Sequence, residues 1–393
     1  MKLSFYDLYR LNWEKVLRPE SILFDTFNNQ QKTERLNNLI KLISFSRPDI
    51  HPRPIDTNVL FFKSMNRADY NEQFSQIQKL NSDSSLLDLR YKNAPQRRKY
   101  PFYIIFKYFP LLLFTNIRFN SLKRIIYLIA CQIKYLEVAE KTYKNNFNFL
   151  VVHADMQPTE NMLCQIAKKK NIKTVTLQHG LYVDYKNDFN INVVNYENQV
   201  ANYFLAWGDD TRQLIRKYHT NTNVVICGKP LKPLDFISTK NYFTVIFDQQ
   251  LFHEYNIQLL EIAYTIAKKL KIKINLRLHP SNNINTYRLE EGIVIFDTNI
   301  YDSQFVIGHT SSLLFELMRL GIPSYKFRSK IPSNHIDEDF IFSDVEELSA
   351  KIIKHTESNF IFSKYAKRYI TYIGEDSLQQ YRNFFKRLKN GKI

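Results

Sequence analysis

Two short polar segments late in the 393-residue chain combine histidine, arginine and hydroxyl side chains. Residues 277–280 read Arg-Leu-His-Pro, residues 308–312 read Gly-His-Thr-Ser-Ser, and each segment follows a strand-like run. Imidazole, guanidinium and hydroxyl groups all donate hydrogen bonds to phosphate oxygens. Because open α/β sheets bind ligands at the carboxyl ends of their strands, the two segments predict a phosphate-binding cradle.

The second segment also begins a helix, since apolar residues recur at helical spacing from Leu313 to Leu320. Backbone N–H groups at a helix amino end attract anions. Glu316 shares the helical face of Ser312, so its carboxylate could accept hydrogen bonds from ribose hydroxyls. The alternative is a carboxylate that only favours the helix dipole, and the position beside the cradle favours the ribose role. The predicted donor-nucleotide and phosphate site comprises Arg277, His279, Pro280, His309, Thr310, Ser311, Ser312 and Glu316.

A third segment, residues 176–180, reads Thr-Leu-Gln-His-Gly and ends another strand-like run. An imidazole titrates near neutral pH, so an exposed His179 would suit a general base. Asp155, which follows the apolar run 149–152, is the other predicted catalytic residue. For both residues a loop position without a catalytic role is the alternative. Gln178 and Gly180 flank the histidine and are predicted on the acceptor side of the site.

The composition is that of a folded, basic protein, with 44% hydrophobic residues, 24% charged residues and a formal net charge of +17. A chain of this length commonly divides into two domains. The positive charge favours acidic partners, among them nucleotides, anionic membranes and nucleic acids.

The three cysteines are far apart in the sequence, which argues against both a disulfide framework and a zinc site. His153 and Asp155 are neighbours, but their spacing suggests no third metal ligand. We therefore expect chemistry without a metal or a cofactor. The amino terminus lacks the basic and apolar regions of a secretory signal, so a cytoplasmic protein is predicted.

Glycine is scarce and unevenly placed: none of the eight glycines precedes Gly180. Phosphate loops and dinucleotide-binding fingerprints need glycines where the backbone approaches phosphate. Kinase, P-loop and amino-terminal NAD-binding architectures are therefore disfavoured.

Strand-like and helical patterns alternate through most of the chain, as in βαβ units on a parallel sheet. The strand patterns include 149–152, 173–177, 203–206, 223–227, 243–247, 272–276, 305–307 and 324–327. Residues 228–233, Gly-Lys-Pro-Leu-Lys-Pro, break the rhythm and read as a linker. The sequence predicts an α/β fold with domains at 1–229 and 230–350, followed by helices at 351–393.

The three motifs together resemble those of bacterial GT-B type glycosyltransferases of capsular and exopolysaccharide biosynthesis, and of their relatives that transfer polyol phosphates. The similarity rests on residues 176–180, 277–280 and 308–317, followed by Gly-Ile-Pro at 321–323, and covers roughly 149–327.

The resemblance implies a GT-B fold, in which two Rossmann-like, doubly wound domains face a central cleft. It implies a nucleotide-sugar donor on the carboxyl-terminal domain, with His279 and residues 310–312 at the phosphate and Glu316 at the ribose. A glycan or lipid-linked acceptor would lie against the amino-terminal domain, and the last helix would cross back to that domain. His179 matches a histidine that looks like a catalytic base in the polyol-phosphate relatives. Those usually carry tryptophan where this chain has Gln178, which favours a sugar donor.

Other functions are compatible with parts of the same sequence. A CDP-polyol phosphotransferase and a nucleotide-sugar epimerase share the two-domain plan. A nucleic-acid-binding protein is the rival from another class, since 25 Tyr and 30 Phe beside basic residues could stack on bases. The charge is dispersed and no nucleic-acid module appears, so nucleic acid is the less favoured partner.

A membrane surface is a further predicted partner. Arg97, Arg98 and Lys99 precede an aromatic run at 100–114, and Lys123 and Arg124 follow it. Basic and aromatic residues interleaved in this way suit the headgroup layer of an anionic membrane, which predicts peripheral association with the inner face of the plasma membrane. The alternative is a buried core with a solvated basic rim.

Overall fold

The computed structural model describes residues 8–29, 48–49, 55–64, 68–91, 109–113, 115–118, 120–185, 191–234, 240–296, 299–330 and 336–393. Most of the predicted basic and aromatic membrane segment at 97–114 lies outside these residues. Among the residues that are described, no helix is long and apolar enough to span a bilayer.

The helices are α1 (Trp13–Asn29), α2 (Ala68–Lys79), α3 (Leu122–Thr142), α4 (Pro158–Lys169), α5 (Val194–Glu197), α6 (Asp209–Tyr218), α7 (His253–Leu270), α8 (Ser312–Arg319), α9 (Val345–Glu357), α10 (Phe362–Tyr365) and α11 (Gly374–Lys389). The strands are β1 (Pro48–Asp49), β2 (Val59–Lys63), β3 (Ser84–Asp88), β4 (Arg90–Tyr91), β5 (Phe149–His153), β6 (Lys173–Leu177), β7 (Tyr203–Ala206), β8 (Asn223–Ile226), β9 (Tyr242–Ile246), β10 (Lys273–Arg277), β11 (Val294–Ile295), β12 (Val306–Gly308), β13 (Ser324–Phe327) and β14 (Ile341–Phe342).

The first sheet has six parallel strands in the order β3-β2-β5-β6-β7-β8. Strands β2 and β5 are almost continuously apolar, because a parallel sheet is covered on both faces. Helices α1, α3 and α4 pack on one face, and α2 and α11 pack on the other. The chain changes its direction of winding between β2 and β5.

The second sheet also has six parallel strands, in the order β11-β10-β9-β12-β13-β14. Its first strand in the sequence, β9, lies beside its fourth, β12, as in dinucleotide-binding folds. Chains wound in this way leave a crevice at the carboxyl ends of those two strands. The polar segment at 308–312 directly follows β12 and therefore reaches this crevice.

The chain returns to the first domain near residue 371. The predicted boundary at 350 falls inside α9, and apolar residues from α9 to Ile370 pack in the core of the second domain. The return begins with Thr371, whose N–H donates to the carbonyl of Trp207 at 2.9 Å. Helix α11 then covers the first sheet. The predicted boundary between 229 and 230 lies in the connection from β8 to β9.

Arg124 does not contribute to a basic membrane-facing surface. It is only 4% exposed, and its guanidinium bonds to Asp25 at 2.6 Å and to the hydroxyl of Ser21. Arg124 is therefore not one of the exposed cations that the membrane prediction requires, because its side chain links α3 to α1.

Candidate functional site

A cavity of about 370 Å³ lies between the two domains, at the carboxyl ends of their strands. The first domain lines it with segments that follow β5 and β6, and the second with segments that follow β9, β10 and β12. Six predicted site residues line this cavity together: His179, Gly180, His279, Thr310, Ser311 and Ser312. The structure thus brings all three sequence motifs to one place.

His279 is held in one orientation by the residues that follow it. The backbone N–H of Ser281 donates to its Nδ1 at 3.1 Å, and the Ser281 hydroxyl lies 2.8 Å from the same nitrogen. Because Nδ1 accepts a hydrogen bond, a neutral imidazole carries its proton on Nε2. His279 can therefore donate to a phosphate oxygen in the cavity.

Helix α8 begins beside His279. Ser311 occupies the N-cap position, and in the described part of the chain no side chain caps the helix. The first N–H groups of an uncapped helix need a partner, which an anion can supply. Ser311 and Ser312, both half-buried, add hydroxyl groups at the same point.

Asp248 lines the cavity and was missed by the sequence analysis. It follows β9 and is 6% exposed. Its Oδ2 accepts hydrogen bonds from the N–H of Thr310, at 3.1 Å, and from the hydroxyl of Thr310. This contact spans the crevice between β9 and β12. The N–H and the hydroxyl of Thr310, which were predicted to bind phosphate, therefore both donate to a carboxylate of the protein.

His309 lies beneath the cavity wall and does not line the cavity. Its ring is fully buried beside Phe252, Tyr255 and Phe327. Burial lowers the pKa of His309 to about 4, against the opposing effect of Asp248. Neither ring nitrogen bonds to another described residue. Burial among these aromatic rings argues against the predicted contact of His309 with phosphate.

Glu316 does not reach the cavity. Its carboxylate lies 2.6 Å from the ammonium of Lys229, in the connection between the domains, and both side chains are largely buried. The Lys229 ammonium also lies over the ring of Trp207, at 4.5 Å. The predicted contact of Glu316 with ribose would have to replace this ion pair.

Arg277 and Pro280 are exposed and also lie outside the cavity lining. Arg277 ends β10 and lies close enough to Tyr301 to influence its pKa, as Glu316 does. Of the segment 277–280, only His279 enters the cavity itself.

On the side of the first domain, His179 is half-buried and surrounded by aromatic rings. Its Nδ1 lies 2.9 Å from the hydroxyl of Tyr182, which burial keeps protonated by raising its pKa. The rings of Tyr70 and His153 lie 5.8 and 6.1 Å from the His179 ring. For His179 to accept a proton at Nε2, its Nδ1–H must donate to the Tyr182 oxygen. The geometry permits this tautomer.

Asp155 and Gln178 are fully buried and turn away from the cavity. One oxygen of Asp155 accepts from the N–H groups of Val200 and Ala201, both at 2.6 Å. Gln178 bonds to the N–H of Trp207 at 2.6 Å and to the hydroxyl of Thr211 at 3.0 Å. These contacts argue against the predicted catalytic role of Asp155 and the predicted acceptor contact of Gln178. Both side chains are buried and form hydrogen bonds with neighbouring segments of the first domain.

Gly180 lies in the cavity wall, and a Cβ added there would meet nothing within 4 Å. Within the described ranges, no group of three or more His, Cys, Asp or Glu side chains is placed to hold a metal ion. Chemistry without a metal stays a prediction.

Comparison with known proteins supports the fold. No family model and no curated protein matches the chain. The solved structures that resemble it include MnaA of S. aureus with UDP (TM-score 0.52, 11% identity, covering 85% of this chain and 97% of that one). They also include the UDP-GlcNAc 2-epimerase of Methanocaldococcus jannaschii with UDP-GlcNAc and UDP (0.51, 14%, 84% and 99%). A variant of the wall teichoic acid polymerase TagF matches over the full length of both chains (0.50, 13%).

At these identities the likeness shows the fold alone. With two parallel six-stranded sheets, it confirms the predicted α/β architecture of the GT-B type. The activity has to be argued from the residues in the cavity.

Proposed function

We propose that the protein is a glycosyltransferase that moves a sugar from a nucleotide-activated donor to a hydroxyl of a glycan or lipid-linked acceptor in bacterial cell-surface polysaccharide synthesis. The observation that carries the proposal is that both domains line the same cavity. His179 comes from one domain, and His279, Ser311 and Ser312 come from the other. Transfer needs a base for the acceptor and hydrogen-bond donors for the leaving phosphate, and the two walls supply one each.

In the proposed reaction, His279, Ser311, Ser312 and the amino end of α8 hold the phosphate of the donor. The bond between the anomeric carbon and the phosphate oxygen breaks, and the acceptor oxygen forms a new bond to that carbon. His179 takes the proton of the acceptor hydroxyl at Nε2, and the nucleotide leaves with the negative charge. Donors aimed at this charge lower the barrier more in a dry cleft than in water.

The structural neighbours support a nucleotide-sugar donor, because two of them were solved with UDP. The motif resemblance to polyol-phosphate transferases keeps a polyol phosphate as the alternative transferred group. Nucleotide-sugar epimerisation is the second candidate function, favoured by the likeness to a UDP-GlcNAc 2-epimerase. An epimerase needs no acceptor, so the two enzyme activities are experimentally distinct.

The first experiment measures thermal stabilisation of the purified protein by CMP, CDP, UDP, GDP and TDP. A ligand at about 100 times its dissociation constant should add roughly 2.7 kcal/mol of stability. We expect one nucleotide to stabilise the wild type and to stabilise His279→Ala much less. His219→Ala is the matched control, because His219 is half-buried in the first domain and outside the cavity. The absence of stabilisation by any nucleotide would contradict the proposal.

The second experiment separates transfer from epimerisation. The protein is incubated with the nucleotide-sugar whose nucleotide stabilises it, with and without glycan or lipid-linked acceptors, and free nucleotide is measured. Release that requires an acceptor supports transfer. Conversion of the sugar into its epimer without an acceptor identifies an epimerase instead.

We further propose that the protein acts in the cytoplasm, on the inner face of the plasma membrane, where a lipid-linked acceptor would reside. The basic sequence composition supports this. Flotation with liposomes that contain anionic lipid tests it, and a protein that stays in the soluble fraction would refute membrane association.

A further inference from the structure

Two hydrogen-bond donors of the cradle, both from Thr310, already bind a carboxylate of the protein itself. Oδ2 of Asp248 accepts both the N–H and the hydroxyl of Thr310, immediately before the amino end of α8. Oδ1 accepts the N–H of Gln249 at 2.8 Å. A carboxylate and a phosphate use the same kind of donors at a helix amino end.

A buried lysine lies on β13, the strand next to β12. Lys326 is 2% exposed and lies beside Gly308 of β12. Its ammonium donates one long hydrogen bond, of 3.4 Å, to a backbone carbonyl. Burial lowers the pKa of Lys326 to about 8, while Asp248 acts in the opposite direction. Buried charges in proteins are usually compensated, and the negative charge of Asp248 favours the charged form of Lys326.

We propose that the Asp248 carboxylate is an internal substitute for the phosphate of the donor. The carboxylate competes with that phosphate for the hydrogen bonds of Thr310 and for the charge of Lys326. When the donor binds, its phosphate takes over these two partners and the carboxylate turns away. This competition lowers the affinity of the site for every phosphate compound. It excludes inorganic phosphate most strongly, because inorganic phosphate makes few contacts with the site beyond those of the phosphate group. This inference rests on the proposed function in that the ligand is a nucleotide.

The backbone of Asp248 is anchored independently of its carboxylate. Its N–H donates to Oδ1 of Asn256 at 2.9 Å, and its carbonyl accepts from the side-chain amides of Asn256 and Asn282 at 3.1 and 2.9 Å. A substitution that removes only the charge should therefore leave the loop in place. This makes Asp248→Asn an informative variant.

The experiment measures the affinity for UDP, by calorimetry, and the melting temperature in the presence of inorganic phosphate. We expect Asp248→Asn to bind UDP about ten-fold or more tightly than the wild type, because a like charge leaves the site. Inorganic phosphate should raise the melting temperature of Asp248→Asn and leave that of the wild type unchanged. Asp344→Asn is the control, since Asp344 caps α9 on the surface and should bind as the wild type does.

Equal or weaker UDP binding by Asp248→Asn, without stabilisation by phosphate, would overturn the inference and show that the carboxylate only supports the loop or the ligand. Lys326→Met in the Asp248→Asn background should abolish the gain, and a gain that survives would show that Lys326 plays no part. If the wild type binds no nucleotide but phosphate still stabilises Asp248→Asn, the proposed function fails while the internal substitute stands.

Discussion

Glu160 is a fully buried carboxyl group near the amino end of α4. Its Oε1 accepts the N–H of Ser64 at 2.9 Å, and its Oε2 bonds to no other described residue. Burial raises the pKa of Glu160 from 4.5 to about 7. The protonated form therefore stabilises the fold below about pH 4.5, and this contribution is lost as the pH rises through 7.

The first prediction follows from this shift. Glu160→Gln keeps the acceptor for Ser64 and cannot ionise, so at pH 8 its free energy of unfolding should exceed that of the wild type by about 3 kcal/mol. The difference should shrink as the pH falls and disappear below about pH 4.5. Urea unfolding at several pH values measures it, with the exposed Glu357→Gln as control. A wild type more stable than Glu160→Gln at pH 8 would show that the carboxylate is ionised and paired.

At the scale of elements, two glycines place the segment that returns to the first domain. Gly228 has a φ of +78°, and a Cβ added there would lie 2.1 Å from the carbonyl oxygen of Tyr372. The next residue, Lys229, donates its N–H to the same carbonyl at 3.0 Å. Gly208 has a similar close approach, to the carbonyls of Arg368 and Tyr369. Residues 368–372, the return segment, can lie against Gly208 and Gly228 only because these two positions lack side chains.

The second prediction compares glycines of equal φ. Gly228→Ala adds a clash with backbone to an unfavourable φ and should cost more than about 3 kcal/mol of stability. Gly292→Ala, at a φ of +79° with nothing within 4 Å, should cost only about 1 kcal/mol. Denaturant unfolding of both variants checks this. Equal losses would mean that the return segment moves aside at little cost.

At the scale of the whole molecule, the first domain is completed by the end of the chain. Phe385 of α11 is 2% exposed, and its ring lies 6.0 Å from that of Phe61 in β2. Tyr381, Phe384 and Leu388 extend the same face. A helix that follows the second domain therefore supplies part of the core of the first.

The third prediction tests this dependence. Phe385→Ala should lower the free energy of unfolding by about 3–5 kcal/mol, because it leaves a cavity beneath the first sheet. Phe296→Ala, where the ring is 53% exposed, is the control and should change stability by less than about 1 kcal/mol. Calorimetry measures both. A small effect of Phe385→Ala would show that α11 is docked loosely and that the first domain folds without it.

The sequence by itself determined the alternation of strands and helices, since hydrophobic periodicity is a local property. It predicted β6, β7 and β13 at the bounds that the structure has. It also predicted the cradle, because a strand end followed by a helix start can be recognised in the sequence. Tertiary structure alone decided which polar side chains meet. Asp248 lies 62 residues from Thr310, and its contact depends on β9 and β12 being neighbours.

The same cause explains the residues whose predicted roles the structure does not support. Asp155, Gln178 and His309 have chemically apt side chains, but packing buries them against loops and rings. Glu316 forms an ion pair with Lys229. This ion pair depends on the linker lying beside α8. Residue type and spacing fix what a side chain could do. Its burial and its charged neighbours, which come from distant parts of the chain, decide what it does.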